Sequence, residues 1–128
     1  MEKLVVAKFG GSAIGPDGIF IPKIIERISL LKNESKVIAV FSAPLTMDNG
    51  KKRSLTDLVL EIGKNAENGQ KPNFDKLFAT YERILDFVES EMKNECKNII
   101  DDYLKKALES LNEAFVKRTF ADEIRSKA

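Results

Sequence analysis

The segment Leu4–Ser12 constrains the fold of this chain more than any other. Its first residues are apolar and β-branched, as in a buried strand, and Gly10-Gly11 then ends the strand in a turn. Glycines allow backbone N–H groups to approach an anion closely, while Lys8 supplies a positive charge and Ser12 a hydroxyl donor. A helix that begins soon afterwards would direct the positive end of its dipole to the same place. We therefore predict that this segment binds a phosphate group.

The same glycine pair has a simpler interpretation, which is a tight turn after a strand. The spacing is not that of the P-loop, in which a longer glycine spacing is followed by Gly-Lys-Ser/Thr, and it is not GxGxxG. The lysine directly before the turn favours phosphate binding, and the turn without a ligand stays the alternative.

Three blocks of the sequence resemble aspartate kinases, which are members of the amino acid kinase family. They are Val5–Ser12, Val37–Ala43 and Ala121–Lys127, the last being similar to an Asp-Glu-Ile/Leu-x-Ser segment of those enzymes. The wider family shares the first block, whereas Phe9 and the third block favour aspartate kinase. The resemblance implies transfer of the γ-phosphate of ATP to the β-carboxylate of L-aspartate, the first step of lysine, threonine and methionine synthesis.

The resemblance also implies roles for individual residues. Lys8 would contact the transferred phosphate, and Ser42 and Thr56 would contact aspartate. The residues that would bind the ATP phosphates are Lys8, Phe9, Gly10, Gly11 and Ser12. The chain contains no histidine, but a carboxylate is already a nucleophile and needs no general base. The alternatives are an exposed lysine at a strand end, a serine in a turn and a threonine that caps a helix.

The composition excludes several classes of partner and site. With 21 basic and 20 acidic residues, the chain carries no net field that would attract nucleic acid or an anionic membrane. Its one cysteine, Cys96, cannot form an internal disulfide and fits a reducing compartment. No apolar run approaches the roughly 18 residues of a membrane helix, and we expect a cytoplasmic protein. Asp101-Asp102 lacks further carboxylates at a defined spacing, so we expect no protein metal site, and magnesium would accompany ATP on phosphates and water.

We expect an α/β fold that begins as a βαβ unit over residues 1–43. A strand is predicted at about Lys3–Phe9, a helix from about Ile21 to Lys32, and a second strand at Val37–Phe41. The second strand is almost continuously apolar, which is typical of a parallel strand covered on both faces.

Residues 44–53 are predicted to form a polar loop and residues 54–128 a helical segment. Asn49-Gly50 could close a hairpin, but the basic run Lys51–Arg53 should be solvated and argues against one. A helix should begin after Ser54 and end near Asn68-Gly69. Two later amphipathic helices should then pack antiparallel across a break near residues 94–98. Their apolar stripes are Leu77, Phe78, Tyr81, Ile84, Leu85, Val88 and Met92, and Ile99, Ile100, Tyr103, Leu104, Ala107, Leu108, Leu111 and Phe115.

The sequence offers no third convincing strand, so the predicted sheet has two open edges and the fold is incomplete. Either another chain covers those edges or the chain is the N-terminal part of a kinase catalytic domain. The resemblance favours the second, because the family's Gly-Glu pair and nucleotide pocket would lie after Ala128. It implies a homo-oligomeric full enzyme, and we expect residues 1–128 to be inactive alone.

Two other functions remain open at this point. Glutamate, acetylglutamate, uridylate, carbamate and isopentenyl phosphate kinases begin with a similar lysine-glycine strand, although Asp122-Glu123-Ile124 and the long helical segment favour aspartate. The helices over residues 74–116 could instead form a non-catalytic interaction module, with Gly10-Gly11 a mere turn.

Overall fold

The computed structural model describes residues 3–127 as two compact units, which divide between Leu55 and Thr56. The first unit contains all the described strands and two helices, and the second is helical. The prediction of an α/β start followed by a mostly helical segment is confirmed. None of the described helices is both long enough and apolar enough to span a bilayer.

The first unit is built on a βαβ motif. Strand β1 (Lys3–Phe9) pairs in parallel with β2 (Ser35–Phe41), and the register runs from Lys3 opposite Ser35 to Phe9 opposite Phe41. A one-turn helix α1 (Gly11–Ile14) and the longer α2 (Ile21–Lys32) lie between them in sequence. Helix α2 packs against β2 and buries Ile24, because its isoleucines and leucines recur at helical spacing. The predicted bounds of β1 and α2 are confirmed, and β2 begins two residues earlier than predicted.

One face of the β1–β2 sheet is exposed. Val5, Ala7, Val37 and Ala39 alternate onto a half-buried face, whereas Leu4, Val6, Ile38 and Val40 are 59%, 64%, 51% and 44% exposed. The prediction that β2 is covered on both faces was therefore wrong for the described residues. The physical reason is the period of two along each strand, which sends alternate side chains to opposite faces, while α2 packs on one of them.

The prediction of a loop over residues 44–53 was also wrong. Strands β3 (Leu45–Asp48) and β4 (Lys51–Ser54) form an antiparallel hairpin, so the statement that no third strand exists is corrected as well. Asn49 and Gly50 have φ values of 51° and 77°, which are the left-handed values that a two-residue hairpin turn needs. Arg53 lies 2.9 Å from the Asp48 carboxylate, and this ion pair offsets the repulsion within the basic run.

The second unit is assembled from four helices around a small core. They are α3 (Leu55–Glu67), α4 (Asp75–Leu85), α5 (Ser90–Lys117) and α6 (Asp122–Arg125). The buried core consists of Ala66, Leu111, Ala114, Phe120 and Ile124. Helix α3 begins directly after Ser54 and is followed by Gly69 with φ 95°, as predicted from the turn residues.

The break between the two long helical stripes lies at residues 86–89, before the predicted position near residues 94–98. Asn94 and Asn98 are exposed inside α5, where asparagine costs only a fraction of a kcal/mol relative to alanine, about 0.7 at most. Glu89, by contrast, takes an extended conformation (φ −58°, ψ 143°) that ends one helix and starts the next. Met92 therefore belongs to α5 and not to the α4 stripe.

Tyr81 of α4 gives the second unit an expected sensitivity to alkaline pH. The phenol is largely buried beside Leu77 and Leu104, and burial raises the pKa of Tyr81 above the ordinary tyrosine value of 10.0. Because the unfolded chain then loses this proton at a lower pH than the folded chain, the phenol's contribution to stability is present below pH 10 and lost above it. Urea unfolding from pH 8 to 11 should show a fall in unfolding free energy that Tyr81→Phe reduces, and Tyr103→Phe, which removes an exposed phenol, is the control. An identical fall in both variants would contradict this assignment.

Candidate phosphate site at the carboxyl edge of the sheet

The carboxyl ends of β1 and β2 bring the predicted glycine turn and Ser42 together. Because the strands are parallel, both chains leave the sheet at the same edge. The N–H group of Ser42 donates a hydrogen bond to the carbonyl of Phe9, with an N···O distance of 3.0 Å. The rings of Phe9 and Phe41 stack at this edge with centroids 5.3 Å apart. Ser42 therefore lies beside the first residue of the turn.

The turn itself presents backbone amides. Its first hydrogen bonds are donated by Ala13 and Ile14 to the carbonyl of Gly10, at 3.0 and 3.1 Å. The amides of Gly11 and Ser12 come before these donors and so have no partner inside the turn. The helix dipole at this turn is weaker than predicted, because the helix that follows directly, α1, is a single turn and the longer α2 begins only at Ile21.

Gly10 and Gly11 differ in what an added side chain would meet. A Cβ atom on Gly11 would lie 3.0 Å from Leu45 Cδ2 and 3.4 Å from the carbonyl oxygen of Ala43, so this glycine lets the turn approach the hairpin. A Cβ on Gly10 would meet nothing within 4 Å, and its φ of −74° is open to any residue. Neither packing nor conformation in the described structure requires a glycine at position 10. The open space beside its backbone is available to a ligand.

Lys8 lies two residues before the turn, opposite Val40 in the register, and its side chain is exposed. Within residues 3–127 this side chain forms no hydrogen bond or ion pair. An exposed ammonium without an internal partner at this edge can contact an external anion. This geometry is equally that of a solvated lysine at a strand end, so the role of Lys8 in phosphate binding stays a prediction.

The sequence interpretation missed one pair of residues that joins the hairpin to the segment after the turn. The hydroxyl of Thr46, a fully buried residue, donates to Oδ1 of Asp17 at 3.2 Å, and the amide of Asp17 donates to the carbonyl of Leu45 at 2.8 Å. Pro16 and Leu45 also form a parallel β-bridge. The sequence feature that could have indicated this pair is the alternation in Leu45-Thr46-Met47, because in a strand it places Thr46 on the face opposite its apolar neighbours.

The model of the amino acid kinase family matches residues 3–127, which is nearly the whole chain. This chain belongs to the amino acid kinase family. No curated protein and no solved structure matches it. Family membership supports a phosphotransferase of the kinase type that uses ATP.

The other predicted substrate contact of this amino acid kinase, Thr56, and the third resemblance block lie in the second unit. Thr56 is the second residue of α3 and is exposed. The third resemblance block forms α6, in which Ile124 is buried in the helical core and its polar neighbours are exposed. Ile124 thus has a packing role, and the contribution of Thr56 to substrate binding stays a prediction.

No group of three or more metal-ligating side chains occurs within the described range of this amino acid kinase. The edge of the sheet carries a lysine, hydroxyls and amides, which are anion-binding groups.

Proposed function

We propose that this amino acid kinase is an aspartate kinase, which transfers the γ-phosphate of ATP to the β-carboxylate of L-aspartate. The observation that carries the proposal is the meeting of the Gly10–Ser12 turn and Ser42 at the carboxyl edge of two parallel strands, with Lys8 as the second-to-last residue of β1. In open α/β sheets, ligands bind at this edge. We further propose a cytoplasmic, homo-oligomeric enzyme.

The residues at this edge suit the transfer of a phosphoryl group between two anions. The amides of Gly11 and Ser12 and the ammonium of Lys8 would stabilise charge on the transferred group, and the hydroxyl of Ser42 would orient the acceptor. The acceptor carboxylate is already ionised at neutral pH, so the protein's task is alignment and charge stabilisation. Magnesium would arrive with ATP and be held by its phosphates and by water.

Support for aspartate as the acceptor comes from the sequence. Phe9 in the first block and the Asp122–Ser126 block resemble aspartate kinases more than other members of the family. Glutamate, acetylglutamate, uridylate, carbamate and isopentenyl phosphate kinases would use the same phosphate edge, and family membership does not separate them.

A screen of acceptors tests the substrate. The complete reading frame that contains this chain is assayed for ADP release with aspartate, glutamate, acetylglutamate, UMP, carbamate and isopentenyl phosphate in turn. We expect turnover with aspartate alone. Turnover with another acceptor would overturn the aspartate assignment and keep the kinase, whereas turnover with none would contradict both.

A titration of the 128-residue chain with pyrophosphate tests the phosphate edge directly. Amide resonances of Gly10, Gly11, Ser12 and Ser42 should shift together with one saturation curve. Shifts confined to residues 74–116 would instead support a helical interaction module, in which the glycine pair is only a turn.

The substitution Gly10→Ala should separate binding from stability. The new Cβ meets no protein atom within 4 Å and fits the φ of −74°, so the free energy of unfolding should stay the same or rise by about 0.4–1 kcal/mol. The methyl group would occupy the space beside the phosphate edge, and pyrophosphate affinity should fall by about tenfold, which corresponds to ~1.4 kcal/mol.

Gly50→Ala is the matched control for this experiment. Its Cβ also meets nothing within 4 Å, but its φ of 77° is unfavourable for alanine, so it should lower stability by about 1–2 kcal/mol and leave pyrophosphate affinity unchanged. Equal pyrophosphate affinities for Gly10→Ala and the unmodified chain would show that Gly10 is not part of the binding site.

A further inference from the structure

We propose that Thr46 and Asp17 are positioning residues that hold the phosphate-binding amides in place. We call this pair, with the hydrogen bond from Thr46 Oγ1 to Asp17 Oδ1, the Asp17–Thr46 clasp. The inference rests on the proposed function, because it concerns how the same edge of the sheet is held for a phosphate. Neither residue has to touch the ligand.

The clasp is one of the attachments between the segment around the turn and the chain that follows β2. The first attachment is the hydrogen bond from the Ser42 amide to the Phe9 carbonyl, just before the turn. The second is the clasp, together with the bond from the Asp17 amide to the Leu45 carbonyl, just after α1. Residues 10–14 lie between these attachments in sequence. Their amides are therefore held at both ends against the chain that carries Ser42.

Contacts between the attachments make the arrangement tight. Gly11 packs against Leu45 so closely that a Cβ atom would lie 3.0 Å from Leu45 Cδ2. Leu45 is therefore in contact with the turn through its side chain and with Asp17 through its carbonyl. A shift of the hairpin at Leu45 would be transmitted to the turn, because closely packed groups pass displacements to their neighbours.

Both residues of the clasp are in a state that is uncommon for residues of a simple connection. Thr46 buries its hydroxyl completely, which is costly unless the hydroxyl is hydrogen-bonded. Asp17 has a φ of 55°, a left-handed conformation that is uncommon outside glycine. The pairing satisfies the buried hydroxyl and fixes the left-handed residue at the same time. Such an arrangement next to a candidate site is consistent with preorganisation of that site.

The experiment compares three threonine variants of the 128-residue chain by pyrophosphate titration and by the amide resonances of Gly11 and Ser12 without ligand. Thr46→Val keeps the shape and removes the hydroxyl, and Thr46→Ser keeps the hydroxyl. Thr80→Val is the matched control, because Thr80 is also fully buried and donates to the carbonyl of Lys76 within its own helix.

We expect Thr46→Val to bind pyrophosphate about fivefold more weakly and to shift the Gly11 and Ser12 amides in the free chain. Thr46→Ser should retain both properties, and Thr80→Val should leave both unchanged while losing stability. Equal affinity and unshifted amides in Thr46→Val would overturn the clasp. If pyrophosphate causes no shift at residues 10–12 of the unmodified chain, the phosphate site itself is refuted. The clasp is then still tested without ligand: if the Gly11 and Ser12 amides of Thr46→Val have the same resonances as those of the unmodified chain, the clasp is refuted as well.

Discussion

Replacing Lys8 with methionine should lower kcat for the proposed phosphorylation of aspartate by about a hundredfold to a thousandfold in the complete reading frame. Methionine keeps the length and apolar stem of the side chain and removes the ammonium. Removal of one group that stabilises developing charge in a transition state costs about 3–4 kcal/mol. Lys8 is exposed and has no partner in the described part of the chain, so its loss should not disturb the sheet. The measurement is steady-state ADP release with aspartate.

Lys3→Met is the matched control for Lys8→Met. Lys3 is an exposed lysine at the opposite end of β1, and its replacement makes the same change in net charge. Its kcat should stay within about twofold of the unmodified enzyme, since surface substitutions far from a site have small effects. If both variants lose activity equally, the effect is one of overall charge, and if neither does, Lys8 is only a solvated residue at a strand end.

Replacing Gly63 with alanine should be the most destabilising single-methyl addition in the helical unit. Gly63 is buried in α3, and a Cβ there would overlap three ring carbons of Phe120. The ring itself is 7% exposed and packed in the core with Leu111 and Ala114, so it has little room to move. Overpacking of this kind costs about 1–3 kcal/mol, which exceeds the gain of about 1 kcal/mol from alanine over glycine in a helix. Because the overlap involves three ring carbons, we expect a cost near the upper end of this range and a net loss of about 2 kcal/mol in urea unfolding followed by circular dichroism.

Two further variants identify the cause of that loss. Lys64→Ala changes the exposed neighbour of Gly63 in the same helix and should alter stability by less than about 0.5 kcal/mol. In Gly63→Ala/Phe120→Leu the smaller side chain makes room for the new methyl, so the double variant should lose less than the sum of the two single losses. Additive losses would show that the overlap with Phe120 is not the reason.

The βαβ start of the fold was predictable because its signals are local. The apolar run of β1, the helical spacing of isoleucines in α2 and the second apolar run each appear within a dozen residues, and the parallel pairing follows from the helix between them. The meeting of Ser42 with the glycine turn follows in turn, since parallel strands end at one edge. For this reason the first part of the candidate site could be predicted without coordinates.

The hairpin and the helix break were not predictable in the same way. Three basic residues in β4 suggested a solvated loop, yet Arg53 pairs with Asp48 across the hairpin and Thr46 is buried against Asp17. The break between α4 and α5 depends on one extended residue, Glu89, in a segment whose composition resembles that of the neighbouring helices. In the hairpin, a contact between residues 29 positions apart, Thr46 and Asp17, outweighs a local preference of a fraction of a kcal/mol, about 0.5.

By itself the sequence determined the order of β1, α2 and β2, the glycine turn after β1 and the helical nature of the second unit, because hydrophobic period and turn chemistry are properties of neighbouring residues. Only the tertiary structure decided which glycine is needed for packing, since Gly11 approaches Leu45 and Gly63 approaches Phe120 while Gly10 faces open space. It likewise decided that Thr46 joins Asp17. These features depend on contacts between side chains that are distant in sequence, and a periodic pattern of hydrophobic residues does not show which side chains are in contact.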